Sequence, residues 1–173
     1  MAGYVLKYGL LISIPACIIT VIVSIPLAKR KKGCLLDLIY RCLFVIYCCF
    51  LLSATFAGRP RVHGAMLIPF SSYYEAWVTK SFIGWRNILL NIGMFIPFGV
   101  LFPMCWDRKI KIRKFIIIVL LTSLSIEIAQ YFSSTGLFEI DDLTNNLLGS
   151  LVGFSGWKLL KKKTLFALPR SGQ

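Results

Sequence analysis

The sequence predicts an all-α integral membrane protein with about five transmembrane helices, its N-terminus outside and its C-terminus cytoplasmic. The first observation is composition: of 173 residues, 57% are hydrophobic and 16% are charged. A soluble domain is about 45–50% apolar and about 25% charged. The second is that several apolar runs reach the roughly 20 residues that a helix needs to cross a bilayer. The third is that basic residues gather between these runs.

The net charge of the chain is +13, which in a small soluble domain would suggest a nucleic-acid partner. A nucleic-acid-binding protein needs a water-soluble basic face, and the apolar runs leave none. We therefore expect membrane lipids, and no nucleic acid, as partners.

The apolar runs predict five membrane-spanning segments, at about residues 4–28, 35–57, 86–106, 115–133 and 142–160. No A-x-A cleavage site follows the first segment, so we expect it to remain as a permanent helix. Pro97 and Pro103 interrupt the third segment and are expected to loosen its backbone. The fifth segment is the most polar.

Three regions follow from these segments: two N-terminal helices in residues 1–57, an outer loop with three helices in residues 58–160, and a basic cytoplasmic tail in residues 161–173. The basic clusters orient the helices, because an excess of Lys and Arg marks the cytoplasmic side. The three clusters lie at residues 29–32, 108–114 and 158–163. All three fall on one side of the membrane when the chain crosses it five times, whereas a four-span alternative would place the last cluster outside.

The outer loop, residues 58–85, is rich in apolar and aromatic side chains, including Tyr73, Tyr74 and Trp77. Tyr and Trp prefer the membrane interface, so we expect this loop to lie along the outer headgroup layer and to contain a short amphipathic helix. Arg59 and Arg61 begin the loop. They would either bind phosphate or anchor the helix end to lipid headgroups.

Polar side chains within the last three segments give the candidate site. Residues three or four positions apart lie on one helix face, and this spacing groups Asn87 with Asn91, Glu127 with Gln130, and Asp142 with Asn145 and Asn146, directly after Asp141. With the predicted orientation, all three groups lie at the same depth in the outer leaflet. Polar groups inside a membrane are costly, so they are candidates for function.

A structural explanation stays open for each group. Amide side chains often bridge membrane helices, and Gly149-x-x-x-Gly153 is a close-packing motif. Asp141 and Asp142 are placed where carboxylates cap the start of a helix. Glu127 is different, because it lies in the middle of a segment and has no helix end to cap.

At these positions the sequence resembles the VanZ-like family. The matching stretches are Leu67-Ile68-Pro69-Phe70, Asn87-x-x-x-Asn91-x-x-x-Phe95-Ile96-Pro97-Phe98-Gly99, Glu127-x-x-Gln130 and Asp141-Asp142-x-x-x-Asn146-x-x-Gly149-x-x-x-Gly153. The resemblance implies a small multi-pass protein of the bacterial cytoplasmic membrane. The founding member of that family is linked to resistance against the glycopeptide antibiotic teicoplanin.

Three functional hypotheses remain. In the first, the polar pocket binds a lipid-linked cell-wall precursor or a lipoglycopeptide and lowers susceptibility to lipophilic glycopeptides. In the second, an intramembrane enzyme modifies a lipid or wall precursor, with Glu127 as general base and Asp142 as its partner, or with the two carboxylates holding a divalent metal ion. In the third, the chain is a structural or partner-binding protein. We expect no cofactor, and a homo-oligomer is possible.

Overall fold

The computed structural model describes residues 35–56, 62–106 and 109–167, together with the isolated positions Pro15, Ile18 and Thr20. Its elements in chain order are α1 (Leu35–Phe56), β1 (Ala65–Met66), α2 (Ser71–Val78), α3 (Phe82–Cys105), α4 (Ile112–Ser133), β2 (Phe138–Glu139) and α5 (Ile140–Ala167). The predicted first segment, residues 4–28, lies outside the described residues except for those three positions.

Helices α1, α3 and α4 match the predicted segments 35–57, 86–106 and 115–133. Within the described residues, these three helices are long and apolar enough to cross a membrane. In each of them the apolar window is only 28% buried inside the chain, so most of its apolar side chains need lipid around them. The predicted fifth segment is also helical, as α5. Because its start is polar and its end is rich in lysine, it is not among the helices apolar enough to cross a membrane. The predicted orientation of the termini stays a prediction.

Helices α3 and α5 form the most extensive helix contact in the described structure. A Cβ built on Gly149 would lie 1.9 Å from the carbonyl oxygen of Ile92, and one on Gly153 would lie 2.0 Å from that of Ile96. Only glycine fits at these positions. This confirms that the motif packs two helices closely, and the partner helix belongs to the same chain. Because the two contacts follow the same order on both helices, α3 and α5 run parallel and begin at the same end of the molecule.

An aromatic core fills the other end of the helix bundle. The rings of Phe115 on α4 and Phe154 on α5 are stacked with their centroids 4.4 Å apart. Phe98 on α3 stacks on Phe102 at 5.4 Å and contacts Phe44 of α1 at 5.7 Å. Phe115 is fully buried. This core packs the end of α3 against the start of α4, so the polar residues lie at the opposite end of the bundle.

The segment between α1 and α3 contains the short helix α2, as expected, and also a feature that the sequence did not indicate. Strands β1 and β2 pair in parallel, with Ala65 opposite Phe138 and Met66 opposite Glu139. A further bridge joins Val62 to Thr135. The outer loop is therefore tied to the connection between α4 and α5, and the chain departs from a purely helical structure at these two strands.

The outward side of α2 and its neighbours is apolar and aromatic. Trp77 is 74% exposed, Tyr74 72% and Phe82 79%. Side chains of this kind prefer the membrane interface, so their exposure suits the predicted position of the loop along the headgroup layer.

Candidate functional site

The polar groups of α3 and α5 meet directly at the shared start of the two helices. The Nδ2 of Asn91 donates a hydrogen bond to Oδ1 of Asp142 at 2.5 Å. Both residues are half-buried. The helical spacing grouped Asn91 with Asn87 and Asp142 with Asn145 and Asn146, and the packing of α3 against α5 brings Asn91 and Asp142 within hydrogen-bonding distance.

Two predicted amides bridge helices. The Nδ2 of Asn146 on α5 donates to Oγ of Ser123 on α4 at 2.8 Å. The Nε2 of Gln130 on α4 donates to the carbonyl oxygen of Thr55 on α1 at 3.4 Å. These contacts are what the bridging explanation expects of amides between membrane helices. The first contact fixes α4 beside α5, and the second fixes α4 beside the end of α1.

Glu127 is 2% exposed. Its Oε2 accepts a hydrogen bond from the backbone N–H of Glu139 at 3.2 Å, at the residue before α5 begins. The start of a helix carries a partial positive charge and unpaired N–H groups, which stabilise a nearby carboxylate. The mid-helix carboxylate of α4 is therefore stabilised by the start of α5.

Asp141 caps a helix, but a different one from its own. Its Oδ1 accepts from the backbone N–H of Phe70 at 2.6 Å, and its Oδ2 accepts from that of Ser72 at 2.9 Å. Phe70 is the N-cap residue of α2 and has a left-handed φ of 62°. Its own side chain makes no capping hydrogen bond. The open capping explanation for Asp141 therefore applies to a different helix: its carboxylate accepts from two N–H groups at the start of α2, while the residue itself lies in the first turn of α5. This contact and the hydrogen bond from Ser72 Oγ to Glu139 Oε2 at 3.0 Å hold α2 against the start of α5.

Tyr73 of α2 makes the remaining contact with α5. Its hydroxyl donates to Oδ1 of Asn145, a fully buried side chain. Burial raises the pKa of the Tyr73 phenol above its usual range, and the carboxylates of Asp141 and Asp142 raise this pKa further. Tyr73 therefore keeps its proton at neutral pH and acts as a donor.

The polar cluster is the set that these contacts join: Asn91, Ser123, Glu127, Glu139, Asp141, Asp142, Asn145 and Asn146, with Ser72 and Tyr73 from α2. It combines four carboxyl groups with amides and hydroxyls at one end of an apolar helix bundle. Within the residues that the structure describes, no three His, Cys, Asp or Glu side chains could hold a metal ion together. For the enzyme hypothesis with a bound metal ion, the described part of the chain therefore supplies no set of three His, Cys, Asp or Glu ligands.

Two predicted site residues, Asn87 and Gln130, do not join the polar cluster, and Gln130 contacts Thr55 of α1 instead. Asn87 is exposed, one turn before Asn91. Arg59 and Arg61 lie outside the described residues.

Ser72, Tyr73, Ser123 and Glu139 were not predicted as site residues. Tyr73 was expected only in the interfacial aromatic belt. One signal pointed to α2: Ser71 and Ser72 follow closely after Pro69, and Ser and Pro residues are typical of a helix start. A helix start needs acceptors for its N–H groups, and Asp141 supplies them for α2.

An apolar groove with a volume of about 260 Å³ lies between the paired strands and the end of α4. It is lined by Ala65, Ile128, Tyr131, Phe132 and Phe138. The ring of His63 lies against Tyr131, with the centroids 4.3 Å apart. The groove offers an apolar surface beside the strand that ends at Glu139 of the polar cluster.

A family model described as VanZ/LLP1 matches residues 38–161. The matched range covers well over half of the chain and contains the whole polar cluster. No curated protein and no solved structure matches the chain.

Proposed function

This chain belongs to the VanZ/LLP1 family, and from that premise we propose that it lowers the susceptibility of a bacterium to lipophilic glycopeptide antibiotics of the teicoplanin type. In this proposal it is a multi-pass protein of the cytoplasmic membrane and engages a lipid-like ligand at the polar cluster. The observation that carries the proposal is the concentration of buried carboxyl and amide groups at one end of an apolar protein. Asp141 and Asn145 are 2% and 0% exposed.

Such a cluster is costly in a membrane and is by default a functional site. The glycine contacts between α3 and α5 already hold that interface closely, so the packing of these two helices does not by itself account for the hydrogen-bonded pair Asn91 and Asp142. The side chains of Asn91, Asp142 and Glu127 offer both donors and acceptors. A ligand with amine or hydroxyl groups, such as an amino sugar or a lipid-linked wall precursor, has the complementary groups.

The surroundings of the cluster favour an amphiphile. Helix α2 covers the cluster with an exposed aromatic surface, and aromatic side chains of this kind seat at the membrane interface. The apolar groove beside β2 would take the hydrocarbon part of the ligand, either from a wall-precursor lipid or from the acyl chain of the antibiotic. Teicoplanin carries such a chain, whereas vancomycin does not, so the proposal predicts selectivity between the two antibiotics.

The test is expression in a sensitive bacterium, with inhibitory concentrations of teicoplanin and vancomycin measured side by side. We expect protection against teicoplanin alone. Glu127→Gln, Asp142→Asn and Asn146→Ala each alter one polar group of the cluster and should reduce protection at equal membrane levels. Ser125→Ala removes only an exposed hydroxyl bonded within α4 and should protect fully. Full protection by all three cluster variants would overturn the proposal.

The same strains separate binding from catalysis. The lipids extracted from cells with and without the protein are compared by mass spectrometry. A new lipid species that disappears with Glu127→Gln would assign the intramembrane enzyme hypothesis instead. An unchanged lipid profile together with protection supports engagement of the ligand without reaction.

A further inference from the structure

Asn145 has a donor that no described residue uses. Its Oδ1 accepts from Tyr73, but its Nδ2 is among the buried side-chain atoms without a hydrogen-bond partner. The residue is 0% exposed. A buried donor left unpaired is expensive, and in a native structure it calls for a partner that the described chain does not supply.

The charge around this amide restricts the partner. Asp141 lies one helical turn earlier on the same face of α5, and Asp142 follows it. Both carboxylates act on the neighbouring Tyr73 phenol, whose pKa they raise after the larger effect of burial. An anionic oxygen, such as that of a phosphate, would be repelled at this position. A neutral acceptor oxygen, such as a carbonyl, would not.

The position of Asn145 next to α2 also favours a carbonyl oxygen as its partner. Tyr73 binds Asn145 directly, and Tyr74 and Trp77 on the same short helix are 72% and 74% exposed. These side chains place α2 at the interface between headgroups and hydrocarbon. Asn145 lies immediately beneath α2, where the acyl linkage of an amphiphile joins its polar and apolar parts.

One side chain of α2 contacts the amide directly, through the hydrogen bond from the Tyr73 hydroxyl to Asn145 Oδ1. Tyr73 is half-buried, and its ring contacts Phe70 and Trp85 with centroid distances of 6.2 and 6.4 Å. Asp141 holds the N-terminal end of α2 independently, through Phe70 and Ser72. Rotation of the Tyr73 side chain can therefore uncover Asn145 without release of the whole helix.

We propose that Asn145 Nδ2 donates a hydrogen bond to the acyl carbonyl oxygen of an amphiphile, with Tyr73 as the side chain that covers it. The carbonyl is either the ester of a membrane glycerolipid or the amide of an acylated antibiotic. This inference rests on the proposed function, since it names the chemical group that the polar cluster recognises in its ligand.

Lipids with and without carbonyl groups test the ester. The purified full-length chain is titrated with phosphatidylcholine carrying two ester-linked chains, and with the matching lipid whose chains are ether-linked, and bound lipid is measured by native mass spectrometry. We expect about five- to tenfold tighter binding of the ester lipid, the effect of one hydrogen bond. A second arm compares an N-acyl glucosamine with the alkyl glucoside of equal chain length, and a preference there assigns the amide.

Variants complete the test. Asn145→Leu removes the donor and should make ester and ether lipids bind equally. Asn145→Asp keeps an acceptor for Tyr73 but also lacks the amide N–H, so it should lose the preference even if Asn145→Leu fails to fold. Ser125→Ala, on the outward side of α4, is the control and should keep the preference.

Equal binding in both arms by the unaltered protein overturns this inference. So does a preference that survives Asn145→Asp. The proposed function fails separately, through loss of the teicoplanin selectivity in cells, so the two failures are distinguishable.

Discussion

Gly149 on α5 lies against the carbonyl oxygen of Ile92 on α3, where a Cβ would approach that oxygen to 1.9 Å. Such a distance is far below van der Waals contact, and the neighbour is backbone, which cannot turn aside. The contact is therefore a fixed point between two parallel helices. It holds the two helices together next to the contact between Asn91, which directly precedes Ile92, and Asp142, which lies about two turns before Gly149.

Gly149→Ala should therefore separate α3 from α5. We expect a loss of about 1–3 kcal/mol or more in stability, the usual cost of overpacking, and a lower midpoint of thermal aggregation in detergent. Gly156→Ala on the same helix is the matched control, because a Cβ there meets nothing within 4 Å. Equal midpoints for the two variants would contradict the close packing.

Asp141→Ala should loosen α2. The substitution leaves the backbone N–H groups of Phe70 and Ser72 without their acceptor, and loss of a cap typically costs about 0.5–2 kcal/mol. Hydrogen exchange should become faster at these two amides and along α2, with little change in α3. Thr144→Ala, which removes an exposed hydroxyl bonded to the carbonyl of Asp141, is the control. Unchanged exchange in α2 after Asp141→Ala would show that the cap is dispensable.

Alkaline pH should weaken the contact between α2 and α5. The pKa of Tyr73 is raised in the folded chain, so the folded state holds its proton more tightly than the unfolded state does. Stability from this group is thus fully present below the ordinary tyrosine pKa of about 10 and falls as pH rises above it. The decline in thermal midpoint between about pH 9 and pH 12 should be smaller in Tyr73→Phe than in the unaltered protein. Tyr74→Phe, altered at an exposed position, should leave the decline as it is.

Phe132→Ser should weaken ligand engagement without unfolding the chain. Phe132 lines the apolar groove and is 80% exposed, so its removal leaves little of the core disturbed. We expect roughly fivefold weaker protection against teicoplanin, for about 1 kcal/mol of lost apolar contact. Leu121→Ser alters a 59% exposed side chain elsewhere on α4 and should protect fully. Equal protection by both variants would remove the groove from the proposed function.

Hydropathy located the three helices that are long and apolar enough to cross a membrane, because length and apolar content are local properties of the chain. The predicted segment 86–106 misses only the first turn of α3, where Phe82 follows an N-cap at Ser81. The polar spacing singled out both Asn91 and Asp142, which the structure joins by a hydrogen bond, but it also paired Asn91 with Asn87, which is exposed. Their role in function stays a prediction.

The contacts that join distant parts of the chain could not be predicted in this way. Capping of the nearest helix was one open explanation for Asp141, but its partner Phe70 lies 71 positions earlier. Tyr73 looked like one more interfacial aromatic residue, because nothing in its neighbourhood indicates Asn145 as its acceptor. The parallel pairing of Ala65 with Phe138 has no pattern either, since strands of two residues are too short for alternation to be visible.

The separation between Phe70 and Asp141 also has a consequence for how the protein is made. Synthesis proceeds at about 5–20 residues per second, so the carboxylate emerges roughly 4–14 s after the amides that it caps. During that interval α2 has no native partner for its first N–H groups, and Glu139 has not yet been added to bind Ser72. We therefore expect α2 to stay uncapped until the start of α5 has been synthesised, and a chain that ends before residue 141 to lack this cap altogether.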